Sequence, residues 1–278
     1  MKKVLITGCS GYIGSHLCQA LNDDYDVWGL DINNPLFQFK EGQFIRHDIN
    51  MPFNEFPEDF DAVVHLAARV RVNESHIMPI QYYITNLNGT MNVLAKIKTN
   101  NFIFASTGVA EFCYDPYGTS KKAAEDVVFE YCLAHKKQDF TIFRFYNVVG
   151  TSGYPPTNPD GLFHNLLTAG DKGEFTIFGN DYHTTDGTPV RDYIHVDEVC
   201  EGIKKAIEKP AYQIECLGHG QGTSVQEIVD TFKKVNNIDF EVKYGPRRQG
   251  DLPASVLKDK SDYMEVKYSI EDLLKLPK

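Results

Sequence analysis

The spacing of apolar positions changes along the chain. Lys3–Thr7, Tyr25–Ile32, Ala62–Leu66, Asn101–Ala105 and Phe140–Phe145 are short, nearly unbroken apolar runs. Between them, residues 13–21, 80–98 and 117–136 repeat with helical spacing. Strands without polar alternation are buried on both faces, which implies a parallel sheet covered by helices on both sides. The first 150 residues therefore read as a doubly wound α/β unit. After Gly150 the character changes. Residues 151–161, TSGYPPTNPDG, read as a loop. A helix near 162–170 and a strand around Phe175–Phe178 follow, then a helix capped by Asp197 and running to Lys209. Ser224 and Glu227 match a capping box ahead of Ile228, Val229 and Phe232. Residues 151–278 are expected to form a smaller mixed α/β domain, with a segment near 188–210 returning to the first.

The chain has 278 residues, of which 42% are hydrophobic, enough for one large α/β unit or two coupled domains. Its N-terminus, MKKVLITGCSGYIG, is too short in apolar residues for a signal peptide. No apolar run approaches the ~18 residues of a spanning helix. A cytoplasmic location with no membrane partner is expected. A net charge of −10 argues against nucleic acid as a partner. The six cysteines, at 9, 18, 113, 132, 200 and 216, form no C-x-x-C pair, and the nine histidines show no metal-ligand spacing. No metal is expected.

The candidate chemistry sits at strand ends. Gly8, Gly11 and Gly14 follow the first strand and open a helix, so the backbone can approach a pyrophosphate at a helix N-terminus. Asp31 ends the second strand, twenty residues after Gly11. A carboxylate there accepts ribose hydroxyls and repels an extra phosphate, which favours NAD. The alternative for Asp31 is a turn-starting residue before Asn33, Asn34 and Pro35. Asp48 and Ile49, after a presumed third strand, could flank adenine or form an ordinary polar loop. Tyr117 and Lys121 lie four apart, on one helical face. A free phenol, with a pKa near ~10, is a poor base at neutral pH, but a nearby ammonium favours phenolate. Ser106 or Thr107 could hold a substrate hydroxyl while Tyr117 takes its proton.

With these residues identified, the segments GCSGYIGSH, YYITNLNGT, PYGTSK, FRFYN and TTDGTPVRDYIHVDE resemble the extended short-chain dehydrogenase/reductase superfamily. Within it the UDP-glucose (UDP-galactose) 4-epimerases are most similar, over nearly the whole chain. The resemblance implies a Rossmann domain that binds NAD and a second domain that binds a UDP-sugar. It implies Tyr117 as catalytic base, Lys121 as its partner and Thr107, beside Ser106, as the catalytic hydroxyl. It implies cofactor contacts at Tyr12 and Ile13, at Leu66, Ala67 and Ala68, at Asn86 and at Tyr146. Substrate contacts are implied at Asn147, Asn165, Leu166, Phe178, Arg191, Arg248 and Asp251. Paired arginines suit a diphosphate; the alternatives are ion pairs of Arg191 with Asp192 or Asp186, and an exposed Arg247–Arg248 pair. Homodimerisation is implied through the helices at 80–98 and 117–136.

Three departures stand out. Only nine residues separate Thr107 from Tyr117, which implies a trimmed loop. The lysine that relatives place near the nicotinamide is replaced by Val70, flanked by Arg69 and Arg71. The last helix is expected to be curtailed. Ser255 falls at a gatekeeper position, and its small size implies room for N-acetylhexosamines. A 4,6-dehydratase would carry Asp-Glu after Thr107, where this chain has Gly108 and Val109. A UDP-glucuronate decarboxylase or epimerase is a further alternative, and an NAD-sensing binding protein is the non-enzymatic one.

Overall fold

The computed structural model describes residues 1–53, 59–135, 138–259 and 261–276. The chain divides into two compact units: Met1–Arg144 with Cys200–Glu215, and Phe145–Val199 with Cys216–Lys278. The segment that rejoins the first unit is thus Cys200–Glu215, later than 188–210. Val190–His195 instead pairs with strands of the second unit.

The first unit is built on a seven-stranded sheet. Its order is Tyr212–Leu217, Asp139–Phe145, Asn101–Thr107, Ala62–His65, Lys3–Thr7, Asp26–Asp31, Phe44–Arg46. Lys3–Thr7 pairs in parallel with both Asp26–Asp31 and Ala62–His65. Val4, Leu5, Ile6, Val63 and Val64 are fully buried, as two-sided coverage requires. The strand order reverses between Lys3–Thr7 and Ala62–His65, and the crevice at such a switch point is where this architecture receives ligands.

Three expected helices need correction. The stretch at 80–98 is Pro79–Tyr83, a π-turn at Ile84–Asn88, and Gly89–Lys96. There the Gly89 N–H reaches the Ile84 carbonyl, five residues back. The Thr90 hydroxyl donates to the Asn86 carbonyl at 2.7 Å, taking an acceptor of the helical ladder. The helix expected from 117 begins at Pro116, with Asp115 accepting from the Gly118 N–H at 2.8 Å, and runs to Ala134; residues 136–137 lie outside the described residues. Asp197 lies within the first turn of Val196–Glu208 rather than before it.

The second unit holds a four-stranded sheet of Gly222–Ser224, Val190–His195, Ala254–Ser255 and Asn147–Val149, and a parallel pair of Glu174–Phe178 with Glu241–Gly245. Its core gathers Phe163, Leu166, Phe175, Tyr193, Ile228 and Phe232 from these strands and from the helices Leu162–Lys172 and Val225–Asn236. Ser224 accepts from the Glu227 N–H at 3.1 Å, but its hydroxyl turns to Asp186 and the reciprocal half of the box is absent. A complete capping box is at Ser269 and Asp272, opening the short helix Ile270–Leu274.

Candidate active site

In the first unit Gly8, Asp31 and Leu66 lie at the C-terminal ends of the parallel strands Lys3–Thr7, Asp26–Asp31 and Ala62–His65. Gly8, with φ of +74°, turns the chain out of Lys3–Thr7, and a Cβ there would meet the Ala67 nitrogen at 2.7 Å. A Cβ on Gly14 would stand 2.2 Å from the Gly8 carbonyl oxygen, so the helix Tyr12–Leu21 can press against the turn only through glycine. The residues present suit a dinucleotide: a side-chain-free turn meets a helix N-terminus, and a carboxylate stands beside it. Asp31, largely buried, accepts the Ser10 N–H at 3.0 Å and the Asn33 N–H at 2.9 Å, so it anchors the glycine turn as well as starting its own. Asp48 accepts the Asn50 N–H at 2.9 Å. Ile49 packs its side chain into the core and offers only backbone.

Tyr117, Lys121 and Glu125 share one face of the helix Pro116–Ala134. Burial pushes the Tyr117 phenol up to about 12; a hydrogen bond from the Thr107 hydroxyl pulls it back and the Asp115 carboxylate raises it further. The Lys121 ammonium is buried over the Phe104 ring, 4.0 Å from its centroid. Burial pushes it down to about 7, with the Glu125 carboxylate pulling the other way. Glu125, 1% exposed, takes a two-pronged ion pair from Arg144, with Nε to Oε1 at 2.9 Å and Nη2 to Oε2 at 2.7 Å. The Ser106 hydroxyl donates to Glu125 Oε1 at 2.5 Å. Of the two candidate hydroxyls, Thr107 therefore faces the phenol and Ser106 faces the buried carboxylate. Glu125 and Arg144 were not singled out from sequence, although Glu125 continues the four-residue spacing of Tyr117 and Lys121.

Asn86 sits in the π-turn with its amide committed. Oδ1 accepts the Arg69 N–H at 2.8 Å, and Nδ2 donates to the Arg69 carbonyl and to Ser120 Oγ, each at 3.0 Å. Arg69 and Arg71, beside Val70, both pair with Glu74. Between Thr107 and the helix Pro116–Ala134, the short loop is one 3-10 turn, Gly108–Glu111, followed by Cys113 at φ of 53°.

In the second unit Arg191 pairs with neither Asp192 nor Asp186. Its guanidinium reaches Asp251 Oδ1 at 3.4 Å and the Leu252 carbonyl at 2.9 Å. Asp192 is fully buried and accepts the N–H groups of His219, Gly220 and Leu257 at 2.7, 2.8 and 3.1 Å. Asp186 is taken by Thr188 and Ser224. The adjacent arginines diverge: Arg248 lies 4.2 Å over the Phe178 ring, and Arg247 stacks on Tyr182 and pairs with Asp181. Ser255 stands beside Arg191 in register. Asn147 donates to the Asp192 carbonyl at 3.1 Å and Asn165 to the carbonyls of Pro159 and Gly161, while Leu166 is core and Tyr146 is held through its N–H on the Leu217 carbonyl. The Asp251 N–H donates to the Arg248 carbonyl at 3.3 Å, so Arg191, Asp251, Phe178, Arg248 and Ser255 form a connected group, which Asn165 and Leu166 do not extend.

Comparison with known proteins gives a consistent picture. The family described as "Epimerase: NAD dependent epimerase/dehydratase family" matches residues 4–215. The chain is 33% identical to a UDP-glucose 4-epimerase of Haemophilus influenzae, over 90% of this chain and 87% of that one. A crystal structure of UDP-glucose 4-epimerase from Bifidobacterium longum in complex with NAD+ and UDP superposes with a TM-score of 0.84 at 27% identity, covering 98% of this chain and 96% of that one. The UDP-Glc/GlcNAc 4-epimerase of Campylobacter jejuni superposes with a TM-score of 0.78 at 28% identity, covering 99% and 97%.

Two outcomes follow from the buried charges. Arg144→Met strands the Glu125 carboxylate and is expected to cost about 3–5 kcal/mol, most of it recovered in the Glu125→Leu/Arg144→Met double variant; urea midpoints measure both. An unfolded lysine titrates near 10.5 and Lys121 at about 7, so between those values the unfolded chain binds more protons. The stability Lys121 allows is present above the higher value and is lost as pH falls toward the lower. The stability advantage of Lys121→Met over wild type should therefore grow across that window as pH falls, in paired urea titrations.

Proposed function

The chain belongs to the NAD dependent epimerase/dehydratase family, and on that premise we propose that it is an isomerase that inverts C4 of a UDP-hexose. The observation that carries this reading is the alignment of Thr107, Tyr117 and Lys121: a phenol bonded by a strand-end hydroxyl, one helical turn from a buried ammonium. Bound NAD supplies the hydride acceptor and donor. Gly8, Gly11 and Gly14, with Tyr12 and Ile13, hold its pyrophosphate, and Asp31 holds its ribose. Asp48, Ile49, Leu66, Ala67, Ala68, Asn86 and Tyr146 complete its surroundings.

Tyr117 takes the proton of the sugar 4-hydroxyl as the ketone forms and returns it to the same oxygen when C4 is reduced on its opposite face. Burial alone leaves the phenol too weak an acid for this role at neutral pH, so the Lys121 charge and the Thr107 hydrogen bond must stabilise the phenolate. Arg191 and Arg248 hold the diphosphate while the 4-keto sugar turns over, so the intermediate stays tethered. Phe178, under Arg248, joins Asp251 at the nucleoside end, and Asn147 and Asn165 line the substrate, with Leu166 packed in the core beside Asn165. Ser255, lacking bulk, admits an N-acetyl group beside C2. The same reading gives a cytoplasmic homodimer serving galactose metabolism. Six cysteines with no C-x-x-C pair among them suit a reducing compartment, and the exposed Ile80, Met91, Phe129 and Leu133 give the helices apolar surface for a second copy. Among the described residues no helix is long and apolar enough to cross a membrane.

Incubation with UDP-galactose and no added reductant should yield UDP-glucose. Tyr117→Phe should lower kcat by about 10²–10⁴ while NAD stays bound. UDP-GalNAc should also be converted, and Ser255→Tyr should abolish that conversion while sparing UDP-galactose; no turnover of UDP-GalNAc by the wild type refutes the assignment of Ser255.

A further inference from the structure

A directed chain of hydrogen bonds runs through the first unit behind the candidate catalytic residues. His65, fully buried, ends the strand Ala62–His65. Its Nδ1 lies 2.6 Å from the Thr7 hydroxyl and its Nε2 lies 3.0 Å from the Thr90 hydroxyl. Counting protons sets the direction. The Thr90 hydroxyl proton goes to the Asn86 carbonyl at 2.7 Å, so the Thr90 oxygen can only accept from the ring. Nε2 must then carry the proton of the neutral imidazole. Nδ1 becomes the acceptor and takes the Thr7 hydroxyl proton, and the Thr7 oxygen accepts the Ala67 N–H at 3.3 Å.

The chain continues on the far side of Thr90. The Asn86 amide clasps the Arg69 backbone and donates to Ser120 Oγ, whose own proton goes to the Tyr117 carbonyl at 2.8 Å. Every polar atom on this line has a partner of matching kind. Burial, with the Lys121 charge adding to it, holds the imidazole down to about 3, so it is neutral. A histidine that only filled space would accept either tautomer; here one tautomer alone satisfies both threonines.

We propose that His65, as the Nε2-protonated tautomer, is a positioning residue that fixes the Leu66–Arg69 loop against the backbone of Tyr117. Through Thr7 it locks the start of that loop, and through Thr90 and Asn86 it locks the end of the loop and the first turn of the catalytic helix. The dinucleotide's wall and the base are thus held in one register without His65 touching substrate. This rests on the reading of Tyr117 as the base, but the tautomer is measured independently of turnover.

In ¹⁵N-labelled protein, His65 should show a protonated Nε2 and a bare Nδ1, unchanged over about pH 5 to 8. A protonated Nδ1, or titration in that range, overturns the proposal. Thr90→Val keeps the side-chain shape and deletes the hydroxyl. It should weaken NAD affinity and lower kcat roughly ten-fold each, while Thr90→Ser restores both. UDP affinity should stay within about two-fold throughout. Wild-type kcat and NAD affinity in Thr90→Val overturn the proposal, and so does a parallel loss of UDP affinity, which marks general unfolding. If Tyr117→Phe keeps full activity, the reading of the base fails while the tautomer measurement still decides the hydrogen-bond chain.

Discussion

At Gly8 two loops approach each other backbone to backbone, and the nucleotide side of the first unit depends on that approach. A Cβ would stand 2.7 Å from the Ala67 nitrogen and 2.8 Å from the Leu66 carbonyl carbon, and the φ of +74° is one that side chains rarely adopt. No residue other than glycine leaves the turn after Lys3–Thr7 and the loop after Ala62–His65 in contact. One residue earlier, the Thr7 hydroxyl serves both loops at once, accepting from Ala67 and bonding His65. The switch point of the sheet is thus closed by main chain and by a hydroxyl, where bulky side chains would hold it apart.

Behind the candidate base the chain has put its charges in an order that a surface would not need. A buried ammonium at Lys121 is followed one helical turn later by a buried carboxylate at Glu125, which Arg144 and Ser106 bind on its other sides. A carboxylate buried at that distance favours the charged form of Lys121, against the burial that opposes it.

Much of this was legible from sequence, for physical reasons. Unbroken apolar runs such as Val4–Ile6 and Val63–Val64 can only be two-sided strands, and they are. The glycine turn, Asp31 and the Tyr117–Lys121 spacing follow from backbone and helix geometry, and the structure sets the first two at strand ends and the pair on one helix. The partner of Arg191 did not follow. Sequence neighbours suggested Asp192 or Asp186, but alternation in a strand points Asp192 away, into three backbone N–H groups, and Asp251 arrives from sixty residues downstream. Nor did the His65 chain follow, since its members come from five separate elements and no local spacing marks them. Ser106 and Thr107 were left as alternatives because adjacent strand residues face opposite ways, and only the fold shows which faces the phenol.

The π-turn at Ile84–Asn88 has a consequence for how this protein tolerates change. An α-helix advances about 100° per residue, so one extra residue in a turn resets the phase of everything after it. Gly89–Lys96 presents Thr90, Val93 and Leu94 inward on the phase set by that widened turn. Deleting one residue there would regularise the helix and yet rotate those three side chains out of the interior. The segment is a frame-setting insertion, in which a shorter and locally better helix would be the worse one.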